Sequence, residues 1–127
     1  MPNPAPGFAK HPRYAVDIAP SQTHVQVHVG GTLIADTRNA LKVLETNLEP
    51  VWYVPEADVQ QSLLRKTETS TYCPFKGHAS YWSIATADAL IEDALWAYEV
   101  PFDECAPLQN HVAFYRNKVT IRAHNEG

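Results

Sequence analysis

Residues 71–82 read TYCPFKGHASYW, and six of them, 73–78, hold a thiol, a primary amine and an imidazole on Cys73, Lys76 and His78. A thiolate is the nucleophilic form of cysteine and a neighbouring cation favours it, so Cys73 with Lys76 is a candidate catalytic pair. No Asp or Asn is placed to orient His78, and a free cysteine is often only a small buried apolar group. Metal binding would draw on Cys73 and His78 together with Cys105 and His111, a set zinc accepts. Structural zinc sites are usually built on C-x2-4-C pairs, which the chain lacks, so neither a metal nor a cofactor is expected.

A second constellation is charged and aromatic. Leu41, Val43 and Glu45 share one face of an expected strand, where a carboxylate interrupts an apolar row. Such a residue sits at the sheet margin in water or is buried against a cation, and Lys76 is the natural partner. Lys76 followed by Gly77 would also present an ammonium and exposed backbone N–H groups to a phosphate or carboxylate. Trp52, Tyr53, Tyr72, Tyr81, Trp82, Trp96, Tyr98 and Tyr115 stand mostly in adjacent pairs, which a strand directs to opposite faces. One member of each pair would then enter the core and the other would face outward or line a cleft. This points to a ligand site lined by Tyr53, Tyr81, Trp96 and Tyr98, with Glu45, Lys76 and Gly77 beside them. The plainer reading is that these rings fill a core.

The elements that must position these groups are mainly strands. Residues 1–22 hold Pro2, Pro4, Pro6, Pro12 and Pro20, so regular structure there must be brief, and an N-terminal arm is expected. Val25, Val27 and Val29 alternate with polar residues before Gly30-Gly31, the mark of a β-hairpin running on to Asp36. Strands are expected over 41–46 and 51–54, and Pro55 with acids in the next turn and Val59 and Leu63 four apart predicts a short helix over 55–64. Extended structure resumes near Thr67, bends at Pro74 and Gly77, and continues through Ile84. Residues 87–98 show helical spacing, while LWAY at 95–98 alone reads as a strand. Residues 111–122 read as a hairpin turning at Arg116-Asn117-Lys118.

Composition bounds the rest. The chain has 127 residues, 45% hydrophobic and 19% charged, enough for one globular domain with a core of its own. The net charge is −4 with the basic residues scattered, which argues against nucleic acid or an anionic membrane as the main partner. No apolar run approaches the roughly 20 residues that span a bilayer, and the Pro-rich start is unlike a signal peptide. A cytoplasmic protein with both cysteines reduced is therefore expected.

On Ile34-Ala-Asp36, Glu45, Pro50-Val-Trp-Tyr53, Cys73-Pro-Phe-Lys-Gly77, Tyr81-Trp82, Trp96-Ala-Tyr98 and Val112-Ala-Phe-Tyr115, the chain resembles a bacterial family called domain of unknown function 427, also labelled nucleotidyltransferase-like. The resemblance spans roughly residues 11–122. It implies a mainly β, compact single domain of two packed antiparallel sheets in a tent-like arrangement, and recurrent positions at Glu45, Tyr53, Cys73, Lys76, Gly77, Tyr81, Trp96 and Tyr98. It also favours a strand over 95–99. The expected organisation is an arm at 1–22, one β-rich domain at 23–123 and a tail at 124–127. The expected function is binding of a small polar or anionic ligand. The alternatives are an enzyme, with Cys73 as nucleophile or with nucleotidyl-transfer chemistry, and a homodimeric interaction module.

Overall fold

The computed structural model describes residues 2–124. After a single helical turn, α1 (Gly7–Lys10), ten strands follow: β1 (Val16–Pro20), β2 (His24–Val29), β3 (Thr32–Thr37), β4 (Leu41–Glu45), β5 (Val51–Pro55), β6 (Leu64–Cys73), β7 (Gly77–Ala85), β8 (Leu90–Ala97), β9 (His111–Phe114) and β10 (Thr120–His124). They form a seven-stranded sheet in the order β1-β4-β5-β9-β8-β7-β6 and a three-stranded sheet in the order β10-β2-β3. Every strand pair is antiparallel. No helix among the described residues is long and apolar enough to cross a membrane.

The hairpin read from Gly30-Gly31 is β2–β3, with Gly30 at a φ of 57° as the turn requires. The bend at Pro74 and Gly77 is the turn of a second hairpin, β6–β7, in which Cys73 lies opposite Gly77. Residues 16–20, read as part of the arm, are an edge strand paired with β4, a place where Pro20 is tolerated. The expected tail begins at His124, the last residue of β10, and residues 125–127 lie outside the described residues.

Three local expectations are corrected. Residues 55–64 form two single 3-10 turns, Glu56–Asp58 and Gln61–Leu63, instead of a helix. Their backbone is claimed by β3, since Val59 bridges Ala35 and Gln60 N–H donates to the Ile34 carbonyl at 2.8 Å. Residues 90–97 are strand, paired on both edges with β7 and β9. Asp93 takes a φ of 46° where the β7–β8 register slips, so Ala94 and Leu95 are both buried and the alternation is broken into apparent helical spacing. Residues 111–122 turn at 115–118 as expected, yet β9 joins the large sheet and β10 crosses to pair with β2.

Directly opposed residues share a face, and this sorts the large sheet. Val54, Val112, Phe114 and Leu95 face the three-stranded sheet and pack with Val25, Val27 and Ile34. Leu41, Val43, Tyr53, Ala113 and Tyr81 line the other face, which Cys105 and Leu108 cover from the 3-10 segment Asp103–Leu108. The adjacent pairs Trp52-Tyr53 and Tyr81-Trp82 split as strand geometry demands, with each Tyr in the second cluster and each Trp against the first.

Candidate functional site

The face lined by Tyr53 and Tyr81 holds most of the sequence-predicted site residues. Glu45 ends β4 beside Val16, and Lys76 stands in the β6–β7 turn that its own N–H closes onto the Cys73 carbonyl at 3.3 Å. A third segment locks that turn, because the Lys76 carbonyl accepts the Phe102 N–H at 2.9 Å. Gly77 has a φ of 129°, and a Cβ there would come within 3.3 Å of the Val100 carbonyl. Glycine is thus required both by conformation and by the close approach of the 100–102 backbone.

The turn carries Lys76 to Glu45. The ammonium pairs with Glu45 Oε1, and the two side chains are only 7% and 9% exposed. Lys76 Nζ also lies 4.0 Å from Cys73 Sγ and 5.9 Å from the centre of the Tyr98 ring. Glu45 Oε2 accepts the hydroxyl of Tyr14, a residue of the arm whose ring stacks on Phe75 with centroids 4.0 Å apart. Burial first, then the Glu45 hydrogen bond and charge, hold the Tyr14 phenol well above the ordinary range.

Around Cys73 the constellation of a nucleophile is incomplete. The one hydrogen bond its sulfur makes among the described residues comes from Lys76, which is itself engaged by Glu45. His78 packs against Tyr72 at 4.9 Å between centroids. Cys105 is fully buried, its thiol donates to the Phe75 carbonyl at 3.4 Å, and burial pushes its pKa to about 11. Among the described residues no three His, Cys, Asp or Glu side chains are grouped as they would be around a metal ion.

The aromatic set divides in two. Tyr53, Tyr81 and Tyr98 are 2%, 7% and 7% exposed and form a floor. Tyr53 accepts the Trp96 indole N–H at 3.2 Å, and Tyr81 shares its hydroxyl with Thr71 at 2.8 Å and Tyr115 at 3.4 Å. Burial is the main cause that raises the phenols of Tyr53 and Tyr98. Trp96 and Tyr115, 4.5 Å apart, are half-buried and reach a groove of about 520 Å³. Tyr53, Tyr81 and Tyr98 do not line that groove, so the cleft lies beside the expected ring set and takes only Trp96 from it.

The groove exists because two strands part. β5 and β9 pair only over 53–55 with 111–113, and beyond that Val51-Trp52 and Phe114-Tyr115 diverge. Trp52, Trp96 and Tyr115 supply the walls, and Lys42 and Arg116 the charge. Lys42 Nζ stands 5.5 Å over the Trp52 ring, while Arg116 pairs with the exposed Glu49 and donates to the Pro50 carbonyl at 2.7 Å. Sequence reasoning named Trp52 and Tyr115 as aromatics only, and it missed Lys42, Arg116, Tyr14 and Phe75 as contributors to either region. Of the two basic residues at the 116–118 turn, Arg116 lines the groove and was the local signal for it.

A family model described as a domain of unknown function, DUF427, matches residues 17–125. No curated protein matches the chain.

Proposed function

This chain belongs to the domain of unknown function 427 family, and from that premise we propose that it binds a small planar anion in the groove between β5 and β9. The observation that carries the proposal is the composition of that groove: three aromatic rings of Trp52, Trp96 and Tyr115 and two cations, Lys42 and Arg116, are in its lining. Rings give a flat ligand stacking area of low entropy cost, and a guanidinium matches a carboxylate, sulfonate or phosphate with two parallel donors. Among the described residues Arg116 is tied to the groove only by an exposed Glu49 and one carbonyl, and exposed ion pairs of this kind are worth roughly 0–1 kcal/mol. A bound anion can therefore take the place of Glu49 at small cost.

The buried Glu45–Lys76 pair and the Tyr53, Tyr81, Tyr98 floor act in this reading as the rigid backing of Trp96. A bacterial, cytoplasmic setting is part of the proposal and is supported by the two free cysteines. Homodimerisation through β6 is not, because this edge of the large sheet carries the exposed charges Arg65, Lys66 and Glu68, which discourage strand-to-strand association.

Tryptophan fluorescence during titration with naphthalene sulfonate tests the proposal, with naphthalene methanol as the neutral control. The native protein should show saturable quenching by the anion. Arg116→Gln should weaken it about tenfold and leave the neutral compound unaffected. Equal binding of both compounds, or no effect of Arg116→Gln, would overturn the reading.

A further inference from the structure

The site under the arm shares no residue with the groove. We infer that Glu45, Lys76 and the Phe75 ring form a binding site for a phenolic hydroxyl, which Tyr14 of the arm occupies in cis. The charged pair is buried and already assembled: Glu45 Oε1 is held by Lys76, which leaves Oε2 as an oriented acceptor, and that is where the Tyr14 hydroxyl donates. The Phe75 ring lies nearly parallel to Tyr14, at 14° and 4.0 Å between centroids, so the site selects an aromatic ring as well as a hydroxyl.

Two observations separate site from occupant. The family model begins at residue 17, so Glu45, Phe75 and Lys76 lie within the matched span and Tyr14 lies before it. The arm is also fastened independently of Tyr14. Gly7 N–H donates to the Pro74 carbonyl at 2.9 Å, and Asn3 and Ala5 N–H donate to Asp103 and Glu104 at 2.8 Å each. Gly7 sits against Phe75 so closely that a Cβ would approach the ring within 2.7 Å. Residues 3–7 thus anchor a segment that delivers Tyr14 to Glu45.

The chemistry narrows the ligand to a neutral donor. A carboxylate or phosphate would face the Glu45 charge, and the Tyr14 phenol is itself kept protonated first by burial and then by its hydrogen bond to Glu45 and that charge. An aryl hydroxyl, free or on the tyrosine of a polypeptide, meets both the acceptor and the stacking surface.

Tyr14→Ala in the full chain vacates the site, and calorimetry with p-cresol, toluene and N-acetyltyrosinamide reads it. The variant should bind p-cresol at least about tenfold more tightly than toluene, the difference being the hydroxyl given to Glu45. Tighter binding of the tyrosinamide than of p-cresol identifies a polypeptide tyrosine as the source, and the reverse order a free phenol; either supports the site. Equal binding of p-cresol and toluene, or binding of neither, overturns it. Trypsin cleavage of the native protein after Lys10 and Arg13 tests the same claim should the variant fail to fold. Saturating p-cresol should accelerate that cleavage by displacing Tyr14 while toluene should not, and an unchanged rate with p-cresol contradicts the inference.

Discussion

In one region of the large sheet a carboxylate and an ammonium are sealed beneath the N-terminal arm, and in another two strands part and leave aromatic rings and two cations against an open groove. Glu45 and Lys76 have exchanged their water for each other, Tyr14 and the Tyr98 ring, so every partner is supplied by the chain. Lys42 and Arg116 keep their charge at the surface, where the partners they have can be exchanged. Burial makes a polar pair costly to disturb and unavailable to small anions. Exposure makes the second set cheap to disturb and free to bind.

The largest effect that would break this contrast is the loss of one buried charge. Lys76→Met leaves Glu45 buried without its cation and should cost about 3–5 kcal/mol in urea unfolding. Lys66→Met removes the half-exposed partner of Glu99, the two side chains being 54% and 47% exposed, and should cost at most about 1 kcal/mol. Similar losses for the two variants would mean that the Glu45 site is wetter than its geometry indicates.

Alkaline titration sharpens the same point. The folded state holds the Tyr53 and Tyr98 phenols above their unfolded value near 10, so their stabilising contribution is complete below that pH and is lost as pH rises beyond it. Once the unfolded chain releases both protons, these two phenols should lower stability by about 3 kcal/mol per pH unit, and Tyr14 and Tyr115, raised in the same direction, add to that slope. The urea midpoint followed above pH 10 reads this, and Tyr53→Phe with Tyr98→Phe should reduce the slope by that share. A midpoint that stays level in the native protein would show the floor to be open to solvent.

A smaller loss is expected at the turn that carries Lys76. Gly77→Ala meets both the positive φ and the Val100 carbonyl, and should cost about 1–3 kcal/mol. Gly31→Ala, with open space around it, should cost less in the same assay. Equal costs would remove the argument that the 100–102 backbone holds Lys76 in place.

How much of this was legible followed the range of the interactions. The β2–β3 hairpin was readable because its Gly30-Gly31 turn and alternating valines are local signals. The pairing of Glu45 with Lys76 was readable as one of two outcomes, because a carboxylate that interrupts an apolar strand face is either at the sheet margin in water or buried against a cation, and the structure shows the second. Residues 87–98 misled because the bulge at Asp93 places two buried residues side by side, a pattern that periodicity assigns to a helix. The 55–64 turns misled because Ile34 and Ala35, far back in the chain, take the backbone groups a helix would use. Tyr14 on Glu45 and the fork between β5 and β9 depend on contacts across tens of residues, and no local composition announces either.

The most direct test of the anion-binding groove is an NMR titration of the native protein with naphthalene sulfonate. Trp52 and Trp96 line the groove, and Trp82 packs against the core on the far side of β8 from β9, so the three indole N–H signals form an internal control. The account predicts saturable shifts at Trp52, Trp96 and the backbone of Phe114 to Arg116, with Trp82 and the Lys76 turn unmoved. Shifts centred on the Lys76 turn, or on Trp82, would contradict it.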